Sequence, residues 1–230
     1  MKTALQPPMP RRIDRRRART RAALLHAGRA LMAQRDVDGL SVDEIVAAAD
    51  VAKGSFYNHF ADKEVFAREI GAAVRRQAEE AVNAANAIIT DPAQRLARAL
   101  CVFIRFAIEH RDSAQVLWRL NSGATMADAP VNRGLREEVV RARLSHQFKD
   151  LEVETGVLLI MGIIVISMRH VLEERATTPP VVVATRMAEV LLRGLGLPAR
   201  QVRSVAARAA ADLLGATDAK LSGVIAHGGE

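Results

Sequence analysis

The segment from Ser41 to Lys63, SVDEIVAAADVAKGSFYNHFADK, constrains the fold of this chain more than any other stretch. Ser41 and Glu44 have the spacing of a capping box, in which a hydroxyl and a carboxylate satisfy the first amide donors of a helix. Asp50 and Val51 indicate a turn, because Asp tolerates left-handed geometry better than most residues do. One face of the short helix between cap and turn is apolar at helical spacing: Val42, Ile45, Val46 and Ala49.

A second short helix is predicted from about Ala52 to His59, with Phe56 turned inward beside Val51. Its outer side carries small, donor-rich and basic residues and no acid: Lys53, Gly54, Ser55, Tyr57 and Asn58. A helix that enters the DNA major groove needs such a surface, since it must donate hydrogen bonds to base edges and phosphates. Any helical hairpin also has a polar outer face, so helical periodicity alone leaves both interpretations open.

The order of the residues resembles one known family. The stretch AADVAKGSFYNHFADKEVF resembles the second and third helices, and the start of the fourth, of the tetracycline-repressor (TetR) family of bacterial transcription regulators. RAALLHAGRALMAQRDVDGLS is similar to the first helix of that family, so the resemblance covers about residues 18–78. It implies an all-α fold, with an N-terminal three-helix helix-turn-helix DNA-binding domain (recognition unit 41–60) and a C-terminal helical ligand-binding and dimerisation domain at 79–216.

The chain departs from the family pattern at three helix ends. Asp36 and Asp50 stand where the family usually has glycine, and Ala52 stands where it often has Ser or Thr. Aspartate is costly in a left-handed conformation, and alanine has no side-chain acceptor with which to cap a helix. We expect somewhat weaker local stability, with no effect on the groove-facing residues.

By resemblance, the DNA contacts of the second helix are Lys53, Gly54, Ser55, Tyr57, Asn58 and His59. We expect Ser55 and Asn58 to contact base edges, and Lys53 to bind either guanine or phosphate. Gly54 would let the backbone approach DNA closely.

Four side chains, two of them already named and two at helix starts, are predicted to contact phosphate. Tyr57 and His59 would bind it through the hydroxyl and a ring nitrogen, although His59 could instead only cap the helix or pack beside Phe60. Ser41 and Lys63 lie at helix starts, where backbone amides and side-chain donors favour an anion.

A basic segment precedes the first helix. Residues 11–21 carry seven arginines and one aspartate, a net charge of +6 from seven minus one. Residues 1–17 are predicted to form a flexible basic arm that neutralises phosphates. Arg17, at the end of this arm, and Arg19, just after it, are among the predicted DNA contacts. A targeting signal is one alternative, but no apolar region follows the arginines. A solvated tail is a second alternative for the first ten residues. The segment before the arginines contains three prolines, which disfavour a helix there: Pro7, Pro8 and Pro10.

The composition favours a helical protein with an aliphatic core. Half of the 230 residues are hydrophobic, only 3% are aromatic, and no alternating strand pattern occurs. Cys101 is the only cysteine and lies in the apolar run CVFIRFAI, which favours a small buried side chain. The most hydrophobic run, GVLLIMGIIVISM, is shorter than the roughly 20 residues that span a bilayer, so a buried helix and a cytoplasmic protein without a membrane partner are predicted.

Helix signals divide the remaining chain. The first helix is predicted from Asp14 or Arg17 to Arg35, and the fourth from Asp62 to about Ile88. Asp91 and Pro92 are predicted to cap and start the fifth. The later helices are expected at about 92–109, 113–120, 131–151, 155–174, 181–195 and 198–214, with a loop at 121–130 and a frayed tail at 217–230.

The resemblance further implies a homodimer on a near-palindromic operator, with half-sites about 34–36 Å apart. The dimer contact would lie on helices 154–174 and 180–195, where small residues allow close approach: Gly156, Gly162 and Ser167. An apolar helix such as 154–174 could equally form the core of one subunit, so a mixture of both roles is expected.

The resemblance also implies an effector pocket within about residues 92–175, in which an apolar or amphipathic organic molecule would swing the fourth helix and release DNA. The candidate lining is Phe103, Phe106, His110, Trp118, Met126, Met161 and Arg169, each of which could instead be ordinary core or surface. The alternative is a DNA-binding regulator without a small-molecule effector. The chain lacks a nucleophile elbow, an HExxH motif and a phosphate loop, so no catalytic residue, metal or cofactor is predicted.

Overall fold

The structure is a computed structural model that describes residues 12–121, 132–148, 151–173 and 177–227. Every regular element in these ranges is a helix. The α-helices are α1 (Arg12–Gln34), α2 (Val42–Ala48), α3 (Lys53–Tyr57), α4 (Lys63–Ala85), α5 (Pro92–Glu109), α6 (Arg111–Asn121), α7 (Arg133–Leu144), α8 (Val153–Leu172), α9 (Pro180–Gly194) and α10 (Ala199–His227), with a 3-10 helix at Val37–Gly39. The all-α prediction is confirmed.

The chain divides within α4 into two compact units, Met1–Ala72 and Ala73–Glu230. The N-terminal unit is held together by three phenylalanines at most 2% exposed. The ring centroids of Phe56 and Phe66 are 5.3 Å apart, and those of Phe60 and Phe66 are 4.8 Å apart in an edge-to-face arrangement. Such offset aromatic pairs stabilise beyond their buried area. The cluster therefore fixes α3 against α4.

Gly28 of α1 is required by this packing. A β-carbon at position 28 would lie 2.2 Å from the ring of Phe66 and 2.8 Å from Ile70, far inside van der Waals contact. The absence of a side chain thus allows α1 to approach α4 closely, beside the buried Leu24 and Ala27.

The helix ends around the turn follow the cap chemistry of the sequence in all but one case. Asp50 has φ 52°, as a left-handed helix stop requires. The Val51 amide donates to Val46 and the Asp50 amide to Ala47, which is the Schellman pattern. Asp36 has φ −69°, because it starts the 3-10 helix instead of ending α1 in left-handed geometry, so the strain expected there is absent.

In the C-terminal unit, α5 contacts α6, α7, α8, α9 and α10. Asp91 accepts a hydrogen bond from the Gln94 amide and Pro92 occupies the first turn, so the predicted cap and start of α5 are confirmed. Cys101 is fully buried, and burial raises the pKa of its thiol to about 12, so the side chain acts as an apolar core residue.

The C-terminal end of α4 is clamped by two arginines of α5. Arg95 Nη1 donates to the carbonyls of Asn86 and Ile89, each at 3.0 Å. Arg98 donates to the Ala85 carbonyl at 2.9 and 3.1 Å, and to Asp212 of α10 at 2.9 Å. These bonds satisfy carbonyls that the end of a helix leaves without partners.

A carboxylate of α7 completes this clamp. Glu138 accepts hydrogen bonds from Arg95, with Nε 2.9 Å from Oε2, and Arg141 lies 2.5 Å from its other oxygen. Only 17% of the Arg95 side chain and 21% of the Glu138 side chain are exposed. Burial raises the pKa of Glu138, but the hydrogen bonds and charges of the two arginines outweigh it and lower the pKa overall.

Helix α8 is long and apolar enough to cross a membrane, by length and composition alone. It is 20 residues long, whereas the apolar run GVLLIMGIIVISM alone is too short to span a bilayer. In the structure α8 contacts α5, α6, α7 and α9, and it buries Val157, Ile160 and Met168 among them. Helical cores also contain helices of this length and composition, and 39% of the most apolar 18-residue stretch of α8 is buried in this structure.

Several predicted boundaries differ from the structure. Helix α1 begins at Arg12, so residues 12–17, assigned to the flexible arm, are helical, because the arginine run continues the helical pattern of α1 without a breaker. Helix α10 continues to His227, through most of the tail at 217–230 that was predicted to be frayed. Helix α7 ends at Leu144, where His146 adopts φ 57° and stops it. Most of the predicted loop at 121–130 lies outside the described residues.

Candidate nucleic-acid interface

Helix α3 presents the predicted contact residues on one short, exposed surface. Tyr57 is 55% exposed, whereas Phe56 beside it is completely buried and anchors the helix. Lys53, Gly54 and Asn58 are exposed, and Ser55 and His59 are half-buried. The structure therefore groups all six residues on and just after α3, although their contacts with DNA remain predictions.

The helix is shorter than the sequence suggested. It covers Lys53–Tyr57, with Ala52 as an N-cap that forms no side-chain hydrogen bond and Asn58 as the C-cap. His59 lies beyond the helix, where its amide donates to the Phe56 carbonyl at 2.9 Å. The expected absence of a cap at Ala52 is confirmed.

Lys53 is not a free cation in this structure. Its Nζ lies 2.8 Å from Oδ1 and 3.0 Å from Oδ2 of Asp43, in the first turn of α2. The hydrogen bond with Asp43, and then its charge, raise the pKa of the Lys53 ammonium. The role of Asp43 was not predicted from the sequence. The pattern that marks it is an acid on the outer side of α2, ten residues before the single lysine of α3.

The capping box at the start of α2 is confirmed. The Ser41 hydroxyl accepts from the Glu44 amide at 3.2 Å, and Glu44 accepts from the Ser41 amide at 2.9 Å. Arg35 adds a hydrogen bond to the same carboxylate at 2.5 Å. These bonds, the Ser41 amide foremost, lower the pKa of Glu44 to about 2. The hydroxyl of Ser41 is thus engaged within the protein, and its predicted phosphate contact stays a prediction.

Lys63 is also engaged within the domain. Its Nζ donates to the carbonyl of Leu40 at 3.0 Å and to that of Asp38 at 3.4 Å. The side chain therefore ties the start of α4 to the residues that precede α2. A phosphate would have to share or replace these bonds.

The first turns of α1 lie beside the end of α3. Arg17 Nη2 donates to the Asn58 carbonyl at 3.4 Å, and a shallow cleft there is lined by Asp14, Arg17, Ala18, Arg21 and His59. Burial, and then the charges of Arg17 and Arg21, lower the pKa of His59, so its imidazole is neutral near pH 7. Arg21 also pairs with Glu69 of α4. Arg19 is exposed on α1.

The candidate effector residues form two contacting pairs. The ring centroids of Phe106 and His110 are 5.1 Å apart, and the Arg169 guanidinium lies 5.2 Å from the centre of the Trp118 ring. Phe106 is buried, which fits ordinary core, and Arg169 is exposed. Phe103 and Met161 are half-buried, and Met126 lies outside the described residues.

Across the described ranges, no group of three or more His, Cys, Asp and Glu side chains is placed to hold a metal ion.

Comparison with known proteins places residues 24–70 in one family. They match the family model described as bacterial regulatory proteins, tetR family. A stretch of 54 residues, 24% of the chain, is 43% identical to the HTH-type transcriptional repressor DhaR of Mycobacterium sp. (strain GP1). The match spans about a quarter, 27%, of that relative.

Solved structures share the fold over most of the chain. A gamma-butyrolactone receptor (ArpA-like protein) superposes with a TM-score of 0.65 at 21% identity, over 86% of this chain and 98% of that one. RolR in complex with resorcinol superposes with a TM-score of 0.55 at 22% identity, over 84% of this chain and 96% of that one. At these identities the similarity shows the fold alone.

Proposed function

This chain belongs to the TetR family of bacterial regulatory proteins, and on that premise we propose that it is a cytoplasmic, sequence-specific DNA-binding repressor that acts as a homodimer. The family is one of transcriptional regulators and not of enzymes. The proposal extends to release from DNA by a small organic effector.

The surface of α3 carries the proposal. Its exposed side chains combine a cation, a phenol and an amide cap, and Lys53 is the only charged residue of the helix. The buried Phe56 holds α3 against the aromatic cluster, so the exposed residues stand on a fixed support. A short, rigid, acid-free helix is suited to the major groove, where base edges are read by side-chain hydrogen bonds.

A dimer is supported by an exposed apolar stripe on α8. Leu158 is 42% and Ile166 is 54% exposed, and Gly162 lies one turn from each with open space above it. On α9, Val190 is 52% exposed. Burying these residues against a second copy would remove apolar surface from water and pair two recognition helices.

Two of the three small residues expected at the dimer contact face the subunit core. A β-carbon on Gly156 would lie 2.9 Å from the side chain of Val139, so this glycine allows α7 to pack on α8. Ser167 is 1% exposed, and its hydroxyl donates to the Ile163 carbonyl at 2.6 Å. Gly162 alone of the three lies on the exposed stripe.

The dimer is tested by Ile166→Asp, which would place a charge in the proposed contact. Sedimentation should show a dimer for the wild type and a monomer for the variant. Glu173→Gln, on an exposed residue just after α8, is the matched control and should remain dimeric. A wild-type monomer at micromolar concentration would exclude the proposed assembly.

Two kinds of observation support the effector. The similar structures include a complex with resorcinol and a gamma-butyrolactone receptor. In this chain, Trp118 and Arg169 form a cation–π pair, which suits a flat organic molecule with a negative group. A compound screen by thermal shift, followed by DNA titration, tests the effector. A ligand that favours the DNA-free state must weaken DNA binding by linkage. If no compound changes either the melting temperature or the DNA affinity, a regulator without an effector is favoured.

The experiment that tests the DNA-binding function is selection of genomic fragments by purified full-length protein at about 150 mM salt, close to physiological ionic strength. A recurring near-palindrome, with half-site centres about one helical turn apart or a multiple of it, is the expected result. Diffuse, salt-sensitive recovery without a motif would refute sequence-specific binding and point to backbone binding alone.

A further inference from the structure

We infer that Asp43 determines the specificity of DNA binding by holding the Lys53 side chain until a matching site replaces it, an inference that rests on the proposed DNA-binding function. Lys53 is the first residue of α3, and Asp43 is the second residue of α2. The two residues therefore belong to the two helices of the helix-turn-helix unit, and only one of them is expected to contact DNA.

In this pair, the lysine ammonium contacts both oxygens of the aspartate carboxylate. The Lys53 Nζ lies 2.8 Å from one carboxylate oxygen of Asp43 and 3.0 Å from the other. The side chains of Lys53 and Asp43 are 56% and 68% exposed, so the pair stands in solvent beside Tyr57. An exposed ion pair of this kind is weak and exchanges readily. DNA can therefore displace Asp43 without unfolding any part of the domain.

The consequence differs between matching and non-matching DNA. At any site, a DNA acceptor competes with Asp43 for the donors of the Lys53 ammonium, and a carboxylate that loses this partner stands unpaired near a polyanion. A phosphate alone replaces one anion with another and leaves that repulsion unrelieved. A guanine adds what a phosphate lacks, because its O6 and N7 acceptors lie at a fixed place in the groove and hold the Lys53 ammonium in one defined position away from Asp43. Asp43 thus weakens non-specific binding more than specific binding, which is how a repulsive group creates discrimination.

The competing explanation is that Asp43 only stabilises α2, since an acid in the first turn of a helix interacts favourably with the helix dipole. That role would not depend on Lys53 and would not alter the salt dependence of DNA binding. The two explanations are therefore separated by a double-mutant cycle between Asp43→Asn and Lys53→Gln.

The experiment titrates full-length protein onto a duplex chosen by selection from random sequence and onto a scrambled duplex, from 50 to 300 mM NaCl, about a sixfold range over which phosphate contacts are resolved. The proteins are wild type, Asp43→Asn, Lys53→Gln and the double variant. Asp38→Asn, which removes another exposed acid of the same domain, controls for net charge. Circular dichroism melting confirms that each variant is folded.

For Asp43→Asn we expect tighter binding to the scrambled duplex, about threefold per subunit near 150 mM salt, and a salt slope steeper by about one per subunit. The ratio of specific to non-specific affinity should fall accordingly. In the Lys53→Gln background, Asp43→Asn should change neither the slope nor the ratio.

Three outcomes overturn the inference. An Asp43→Asn slope and ratio equal to those of the wild type, or equal to those of Asp38→Asn, would reduce Asp43 to a helix-capping or general charge role. The same change in the Lys53→Gln background would show that Asp43 does not act through Lys53. If wild-type protein selects no sequence from the random pool, the proposed function itself fails, whereas a selected motif with an unchanged ratio refutes only the role of Asp43.

Discussion

Glu138→Gln should destabilise the C-terminal unit far more than the loss of one carboxylate charge from an exposed ion pair would. Glu138 and Arg95 are about four-fifths buried, and Arg95 is fixed in place by the carbonyls of Asn86 and Ile89. Loss of the carboxylate charge leaves a mostly buried guanidinium without a counter-ion. Breaking a fully buried pair costs about 3–5 kcal/mol. Because glutamine keeps one acceptor oxygen and the site is partly solvated, we expect about 2–3 kcal/mol.

The assay is thermal unfolding at a fixed protein concentration, since dimer formation makes the melting temperature depend on concentration. For a chain of this length, each kcal/mol shifts the midpoint by about 2–4 °C, so Glu138→Gln should lower it by about 4–12 °C. Glu173→Gln is the matched control, because the Arg169–Glu173 pair is 3.8 Å apart with both side chains more than half exposed. It should cost less than about 1 kcal/mol.

The pH dependence provides a second check. The pKa of Glu138 is lowered on folding, so its contribution is fully present above its ordinary value of 4.5 and is lost as the pH falls through the lower folded value. The difference between wild type and Glu138→Gln should therefore be constant near neutral pH and shrink in acid. Equal melting temperatures for Glu138→Gln and Glu173→Gln at pH 7 would refute the clamp.

Three further predictions concern α3 and the two residues that follow it. Tyr57→Ala should weaken binding about equally for all sequences, whereas Asn58→Ala should relax the preference at one position of the site by about 1–3 kcal/mol; unchanged selection profiles for both would exclude α3 as the recognition helix. Gly54→Ala should raise the melting temperature slightly, because nothing lies within 4 Å of the added carbon and alanine favours helix, yet it should weaken DNA binding if the backbone approaches the groove. Burial and the charges of two arginines lower the pKa of His59, and a bound phosphate should raise it again. DNA affinity, followed by anisotropy, should then rise as the pH falls through the pKa of His59 in the complex, and His59→Gln should abolish that dependence.

Local chemistry made some of the helix ends predictable. The capping box of Ser41, the turn at Asp50 and the start of α5 at Asp91 and Pro92 all depend on residues within one turn of each other. Asp36 was misjudged, because the family pattern suggested a left-handed residue where the chain instead enters a 3-10 helix. That choice depends on the residues after Asp36 and not on the propensity of Asp36 itself.

Contacts between distant residues could not be predicted from the sequence. The Arg98–Asp212 pair joins residues 114 positions apart, and no periodicity marks either of them. In α8 the apolar residues surround the helix, so the hydrophobic pattern could not show which face meets the core. Gly156 and Gly162 therefore looked equivalent, although the first packs against Val139 and the second is exposed. The pairing of Lys53 with Asp43 likewise requires the angle between two helices.

Gly28 has a consequence for genetics. It is buried in α1, but a side chain at position 28 would push Phe66 aside. Phe66 in turn packs on Phe56, which lies beneath the exposed surface of α3. A screen for mutants that no longer repress should therefore recover substitutions at position 28 as often as substitutions at Tyr57. Those alleles would look like contact mutants in a reporter assay, and a melting curve would separate the two classes at once.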